Sequence, residues 1–140
     1  MELMPRGLLF LGGLICGLAV AAGSFGAHGL KAVLEATGRA DNWETAVRYG
    51  LAHGLAILFT ALAAALPEAV AARRLLVAAG ASFAAGVAIF SGCLGALAVT
   101  GVRVLGAIVP IGGVLFLVGW ALVCAAALRI GPRSTRSGVR

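Results

Sequence analysis

Few residues in this 140-residue chain carry side chains able to do chemistry in an apolar setting. The two histidines are His28, in the stretch GSFGAHGLK (residues 23–31), and His53, just inside the second long apolar run. Ser24 precedes His28 by four residues and Tyr49 precedes His53 by four, so each pair shares a face if its segment is helical. Two facing neutral imidazoles have three uses. They ligate haem iron or another metal, they hydrogen-bond a quinone or a lipid headgroup, or they tie one helix to the next with a carbonyl or water as partner. Ser24, His28, Tyr49 and His53 are therefore the candidate ligand-binding set. No cofactor is called for, and haem is the one the histidine pair would suit.

Other chemistries are poorly served. Cys16, Cys93 and Cys124 all fall inside apolar runs, are odd in number and form no CxxC spacing, so they read as small buried hydrophobes. Their expected depths differ too much for one coordination shell, and no metal site is expected. No carboxylate falls within an apolar run, which removes paired acid–base chemistry there. Ser24 beside His28 lacks an orienting acid, and the glycine-rich segments belong to helices, not to a phosphate loop. No catalytic residue is expected, and the protein is read as a non-enzyme.

The elements that position these residues follow from composition. The chain is 61% hydrophobic and 11% charged, with a mean hydropathy of +1.07. Too little polar surface is present to cover an apolar interior in water, so lipid is the solvent for much of the chain. Charges punctuate the sequence into four charge-free runs, 7–30, 49–67, 75–102 and 104–128. Each approaches or exceeds the roughly 20 residues of a spanning helix, and backbone amides in lipid must be satisfied within the segment. The expected fold is all-α, a four-helix transmembrane bundle with helices at about 7–29, 42–66, 75–100 and 104–128, followed by a mobile basic tail at 131–140. The apolar run from Gly7 continues past the Ala19-Val20-Ala21 stretch, which argues against signal cleavage there.

With four spans, both ends lie on one side, with Arg6, Arg73, Arg74, Arg129, Arg133, Arg136 and Arg140. Lys31, Arg39, Arg48 and Arg103 lie on the other. The positive-inside rule then places both termini in the cytoplasm. The charge of +6 is therefore read as an orientation signal; no basic stripe interleaved with aromatics suggests nucleic acid. The loop between the first two spans predicts a short interfacial helix ending at Gly38, then Asp41 as N-cap with Glu44 completing a capping box, and Trp43 anchored at the interface. Pro110 predicts a bend in the last span, and the tight turn at Gly101 makes the last two spans antiparallel neighbours. Small residues at Gly13/Gly17, Gly50/Gly54, Gly92/Ala96 and around Pro110, Gly112 and Gly113 are candidate helix-packing positions, either within the bundle or toward a partner.

Four blocks resemble a known family: GSFGAHGLK (23–31), WETAVRYGLAHGLA (43–56), FSGCLGALAVTG (90–101) and LGAIVPIGGVLFLVGW (105–120). Taken in order, they resemble the YgdD-like family of small bacterial inner-membrane proteins, domain-of-unknown-function family 423, whose animal relative is called transmembrane protein 256. The resemblance implies a small helical protein of the bacterial inner membrane and supplies no chemistry. Cys93, Gly95 and Val109 depart from its pattern, which often has serine, tyrosine and threonine there. Small multidrug-type exporters are similar in architecture only, because their coupling carboxylate has no counterpart in the first run. The expected role is an accessory or structural subunit of a larger membrane assembly; the candidate partners are the lipid bilayer, a larger membrane protein complex or a second copy of this chain. The alternative is a binder or carrier of haem, quinone or lipid that uses a His28/His53 pocket.

Overall fold

The computed structural model describes residues 3–131, so all of the basic tail but Gly131 lies outside the described residues. Five α-helices follow one another: α1 (Leu3–Ala27), α2 (Lys31–Ala36), α3 (Ala40–Ala65), α4 (Arg73–Thr100) and α5 (Val104–Ala127), with a 3₁₀ turn at Pro67–Ala69. All but α2 are long and apolar enough to cross a membrane. The chain is an all-α membrane protein with four such helices, and the short α2 stands between the first two. α1 packs on α3, α3 on α4 and α4 on α5, with a smaller contact between α1 and α4.

Local chemistry sets the ends. Gly38 takes a φ of 65° after α2, and Gly101 a φ of 74° after α4. Both are left-handed conformations that cost a side chain energy. Pro67 forces Leu66 out of helical geometry, to φ −69° and ψ 139°, and so ends α3 at Ala65. Pro110 stands inside α5, which remains one helix through Ala127 although the ring removes a backbone donor.

The start of α3 corrects one expectation. Asp41 is not the N-cap: the helix begins at Ala40, Arg39 is the flanking residue, and no side chain caps the end. The reversal at Gly38 leads straight into α3 and leaves Asp41 in the first turn, where its charge favours the helix dipole without a capping bond. Arg39 is held elsewhere, donating to the Ala98 carbonyl at 3.4 Å near the end of α4. At the other end of the bundle, Arg73 donates to the Ala64 carbonyl at 2.9 Å in the last turn of α3. Each arginine satisfies a carbonyl that its helix terminus would leave without a partner. The Trp43 indole N–H donates to the Ala22 carbonyl at 3.0 Å and ties α3 to α1.

Ile57, Thr60, Leu76 and Phe83 are the largest fully buried side chains. Phe10 and Leu117, by contrast, are 74% and 70% exposed. Such large apolar side chains on the outside suit a surface solvated by acyl chains.

The helix seams are cut by glycine. A Cβ at Gly54 would meet Cys16 Sγ at 2.8 Å, and one at Gly12 would meet Leu58 at 2.9 Å, so α1 and α3 approach closely there. Between α4 and α5 two aromatic rings and one stretch of backbone sit in glycine notches. The Phe83 ring fills the notch at Gly119 and the Phe116 ring the notch at Gly86, while Gly112 lets the Phe90 backbone come close. The positions on α4 rise as those on α5 fall, as an antiparallel pair requires. Ser82 Oγ donates to the Leu115 carbonyl at 2.7 Å across the same seam. Gly50 faces Ser91 Oγ, 3.5 Å from a built Cβ, and Gly113 has only Phe90 at 4.0 Å. Gly13, Gly17 and Gly92 have nothing within 4 Å, and Pro110 is exposed. Within this chain the seam of α1 runs through Gly12, not through the Gly13/Gly17 pair, which lies about 100° round the helix or more.

Candidate functional site

The polar centre of the bundle is built around His53. It is 6% exposed and faces α4 and α5. Gly54 takes the position that meets α1, and His53, one residue earlier, is turned about 100° away from it. The imidazole stacks on Phe116 with ring centroids 3.6 Å apart and planes 9° apart. Phe83 lies 5.5 Å away, Tyr49 5.8 Å and Trp120 6.2 Å. Tyr49 in turn stacks on Phe90 at 4.7 Å.

Both ring nitrogens are engaged. The Trp120 indole N–H donates to His53 Nε2 at 3.3 Å, and Nδ1 lies 2.9 Å from the Tyr49 carbonyl. An indole can only donate and a carbonyl can only accept. The hydrogen-bond network thus assigns the neutral tautomer with its proton on Nδ1. In this arrangement no lone pair remains for a metal and no N–H for a quinone. What the geometry does is join three helices: α3 supplies the imidazole, α4 Phe83, and α5 Phe116 and Trp120.

Of the four sequence candidates, the structure brings Tyr49 and His53 together and leaves Ser24 and His28 apart from them. His28 lies in the turn after α1, exposed, and its side chain makes no hydrogen bond or ring contact with the described residues. His28 is the residue that follows α1, whose last residue is Ala27. Ser24 is exposed and lies near the direction of Gly13 and Gly17 on α1.

Sequence reasoning missed the aromatic partners of His53. A signal existed: Phe83 and Phe90 are seven residues apart, as are Gly112 and Gly119, and such spacing interlocks on antiparallel neighbours. It also missed two cavities beside α3. One, of about 440 Å³, lies among α1, α2 and the start of α3 and is lined by Lys31, Glu35, Glu44 and Arg48 together with Trp43 and Val47. The other, of about 310 Å³, is an apolar groove among α1, α3 and α4, and Trp43 and Val47 line it too. Ser91 lies in that groove, its hydroxyl oxygen buried and without a hydrogen-bond partner.

Comparison with known proteins agrees with the architecture. The family model described as "Protein of unknown function (DUF423)" matches residues 22–113. A UPF0382 membrane protein of Staphylococcus epidermidis is 40% identical over 86% of this chain and 94% of its own length. The UPF0382 membrane protein YwdK of Bacillus subtilis is 36% identical over 86% of this chain and 95% of its own. A UPF0382 membrane protein of Haemophilus influenzae is 40% identical over 81% and 84%. No solved structure matches the chain. With a family model covering most of its length and relatives aligned nearly end to end, the chain belongs to the DUF423 family of bacterial membrane proteins.

Proposed function

We propose that the protein is a non-catalytic component of the bacterial inner membrane that packs laterally, through the outer face of α1, against a helix of a larger membrane assembly, with both termini in the cytoplasm. The observation that carries this reading is the open glycine pair. Gly12, Gly54, Gly86, Gly112 and Gly119 are all consumed by seams within the chain. Gly13 and Gly17, a turn apart on α1, face nothing within 4 Å. Glycine in a spanning helix is most useful where another backbone comes close, because association in lipid depends on such packing. The share of the α1 span buried inside the chain is 11%, against 44% for α3, which leaves room for a neighbour.

The polar groups support the same reading. Among the described residues the carboxylates Glu35, Asp41, Glu44 and Glu68 lie in loops or near helix ends, away from the middle of the spans. The closed shell around His53 favours a packing role for that histidine over haem or quinone binding, and His28 does not join it. The test is mass spectrometry of what accompanies the tagged full chain out of native membranes in mild detergent. A stoichiometric membrane partner, lost in Gly13→Leu with Gly17→Leu, is the expected result. A protein that emerges alone, as monomer or homo-oligomer, overturns the reading.

A further inference from the structure

Charge divides unevenly between the two ends of the helices. Where α2 and α3 begin and α4 gives way to α5, Lys31, Arg39, Arg48 and Arg103 are set against Glu35, Asp41 and Glu44. At the opposite end, where α1 and α4 begin and α3 and α5 finish, Arg6, Arg73, Arg74 and Arg129 stand against Glu68 alone among the described residues. Outside those residues the sequence adds Glu2 and three more arginines, Arg133, Arg136 and Arg140. Three of the described arginines gather round one small core. Ala64, Ala69, Ala72, Leu76 and Ala126 pack together from the ends of α3, α4 and α5. Arg73 and Arg74 follow Ala72 directly, and the Arg129 amide bonds the Ala126 carbonyl at 2.9 Å. Arg73 is half-buried, and its Nε–H donation to the Ala64 carbonyl holds the guanidinium in place while its Nη groups find no acceptor among the described residues. The side chains of Arg74 and Arg129 are exposed and make no hydrogen bond or ion pair with the described residues. A helix N-terminus carries partial positive charge and disfavours cations in its first turn. Yet α4 opens on Arg73 and Arg74, with no acid in that turn and no capping side chain.

We infer that this end of the protein is a binding surface for an anionic glycerophospholipid, whose phosphate is held by Arg73, Arg74 and Arg129 at the start of α4. Guanidinium groups bind phosphate through paired N–H donors, and a helix N-terminus adds amide donors of the same sign. An anion there offsets the adverse placement of two cations on the positive end of a helix. The charge balance argues against a zwitterionic headgroup, whose ammonium would be set against several guanidinium groups and a single carboxylate. The apolar neighbours argue for a lipid over a soluble anion. Leu66 and Val70, in the connection before α4, are 51% and 66% exposed, and Leu128, beside Arg129, is 90% exposed. Bare aliphatic side chains beside cations suit the boundary where phosphate meets acyl chain, and polybasic segments next to spanning helices are drawn to anionic lipid. The inference needs a bilayer but neither a particular side for the termini nor the docking of α1. It shares no residue with the open glycine pair, so it stands or falls separately.

The two ends supply their own controls. The full chain is reconstituted into bilayers of equal phosphatidylethanolamine and phosphatidylglycerol, extracted gently, and examined by native mass spectrometry. The expected result is retention of phosphatidylglycerol over phosphatidylethanolamine. Arg74→Gln and Arg129→Gln, both at exposed positions, each lower that preference by about fivefold, the order set by one arginine at a membrane surface. Lys31→Gln and Arg48→Gln, also exposed but at the opposite end, leave it unchanged. Inorganic phosphate added during extraction does not displace the lipid; displacement would assign the site to a soluble anion and overturn the inference. Equal retention of the two lipids by the wild type overturns it, as does a loss of preference that is the same for variants at both ends. If the arginine variants fail to give helical, monodisperse protein, the wild type decides. Its preference must fall as the salt concentration in the extraction buffer rises, because exposed charges are screened, and a preference indifferent to salt refutes the site.

Discussion

Gly112 and Gly113 are neighbours in sequence and opposites in packing, and substituting each by alanine tests whether glycine notches hold α4 and α5 together. A Cβ at Gly112 would lie 2.5 Å from the Phe90 backbone nitrogen and 2.9 Å from its Cα. A backbone cannot rotate out of the way as a side chain can, so the two helices must separate locally. Overpacking of this kind costs up to about 3 kcal/mol. The alanine recovers about 1 kcal/mol of helix propensity. The net expectation for Gly112→Ala is a loss of about 2 kcal/mol, roughly a 30-fold fall in the folded-to-unfolded ratio. Gly113→Ala meets only Phe90 Cδ2, at 4.0 Å, an ordinary contact. It keeps the propensity gain and is expected to be neutral or stabilising by up to about 1 kcal/mol. The assay is reversible unfolding in mixed micelles of rising denaturing-detergent fraction, followed by helical circular dichroism. Equal shifts for the two variants, or a larger loss at Gly113, would refute the notch argument.

Further outcomes follow from the same geometry. His53→Phe keeps a ring in the stack but strands the Trp120 N–H, and a loss of about 1–2 kcal/mol is expected. In a cycle with Trp120→Phe the two changes should couple by about 1 kcal/mol, and simple additivity would show that the bond contributes nothing. Arg73→Gln uncaps the Ala64 carbonyl and should lower stability by about 0.5–1 kcal/mol in the same micelle assay, more than Arg74→Gln. Ser91→Ala removes a hydroxyl that has no partner within the chain, so lipid-free protein should be unchanged or more stable by about 1 kcal/mol, and a clear loss would mean the hydroxyl is satisfied.

The four spans were legible because lipid allows only segments whose backbone bonds close internally, and charges mark where such segments stop. Gly38 and Gly101 were readable as helix ends for a similar reason: each needs a conformation that few other residues accept. The start of α3 was not. Asp41 and Glu44 have capping spacing, but the left-handed turn at Gly38 leads straight into a helix that begins at Ala40 and so places Asp41 inside it. That the Trp43 indole would bond the Ala22 carbonyl was not legible, because the two residues meet only once α1 and α3 pack.

The histidine site shows where one-dimensional reasoning stops. Depth could be counted from Lys31 and Arg48, and it suggested that His28 and His53 share a level. Rotation about the helix axis could not be counted so simply. Gly54 claims the face toward α1, and His53 is thereby turned to α4 and α5. Residues that meet across an antiparallel pair, such as Phe83 with Gly119, lie far apart in sequence and are found only by matching spacings on two helices. The cavities beside α3 depend on three helices and a connecting turn, and no single segment reports them.

The most direct test of lateral docking is photo-crosslinking in native membranes, with a photoreactive residue placed at Gly17 in one sample and at Val114 in another. Val114 is 58% exposed on α5 and serves as an apolar surface control. Docking through α1 predicts a single protein adduct from Gly17, at a mass other than twice that of this chain, and none from Val114. Lipid adducts alone from both positions, or protein adducts from both alike, would contradict it.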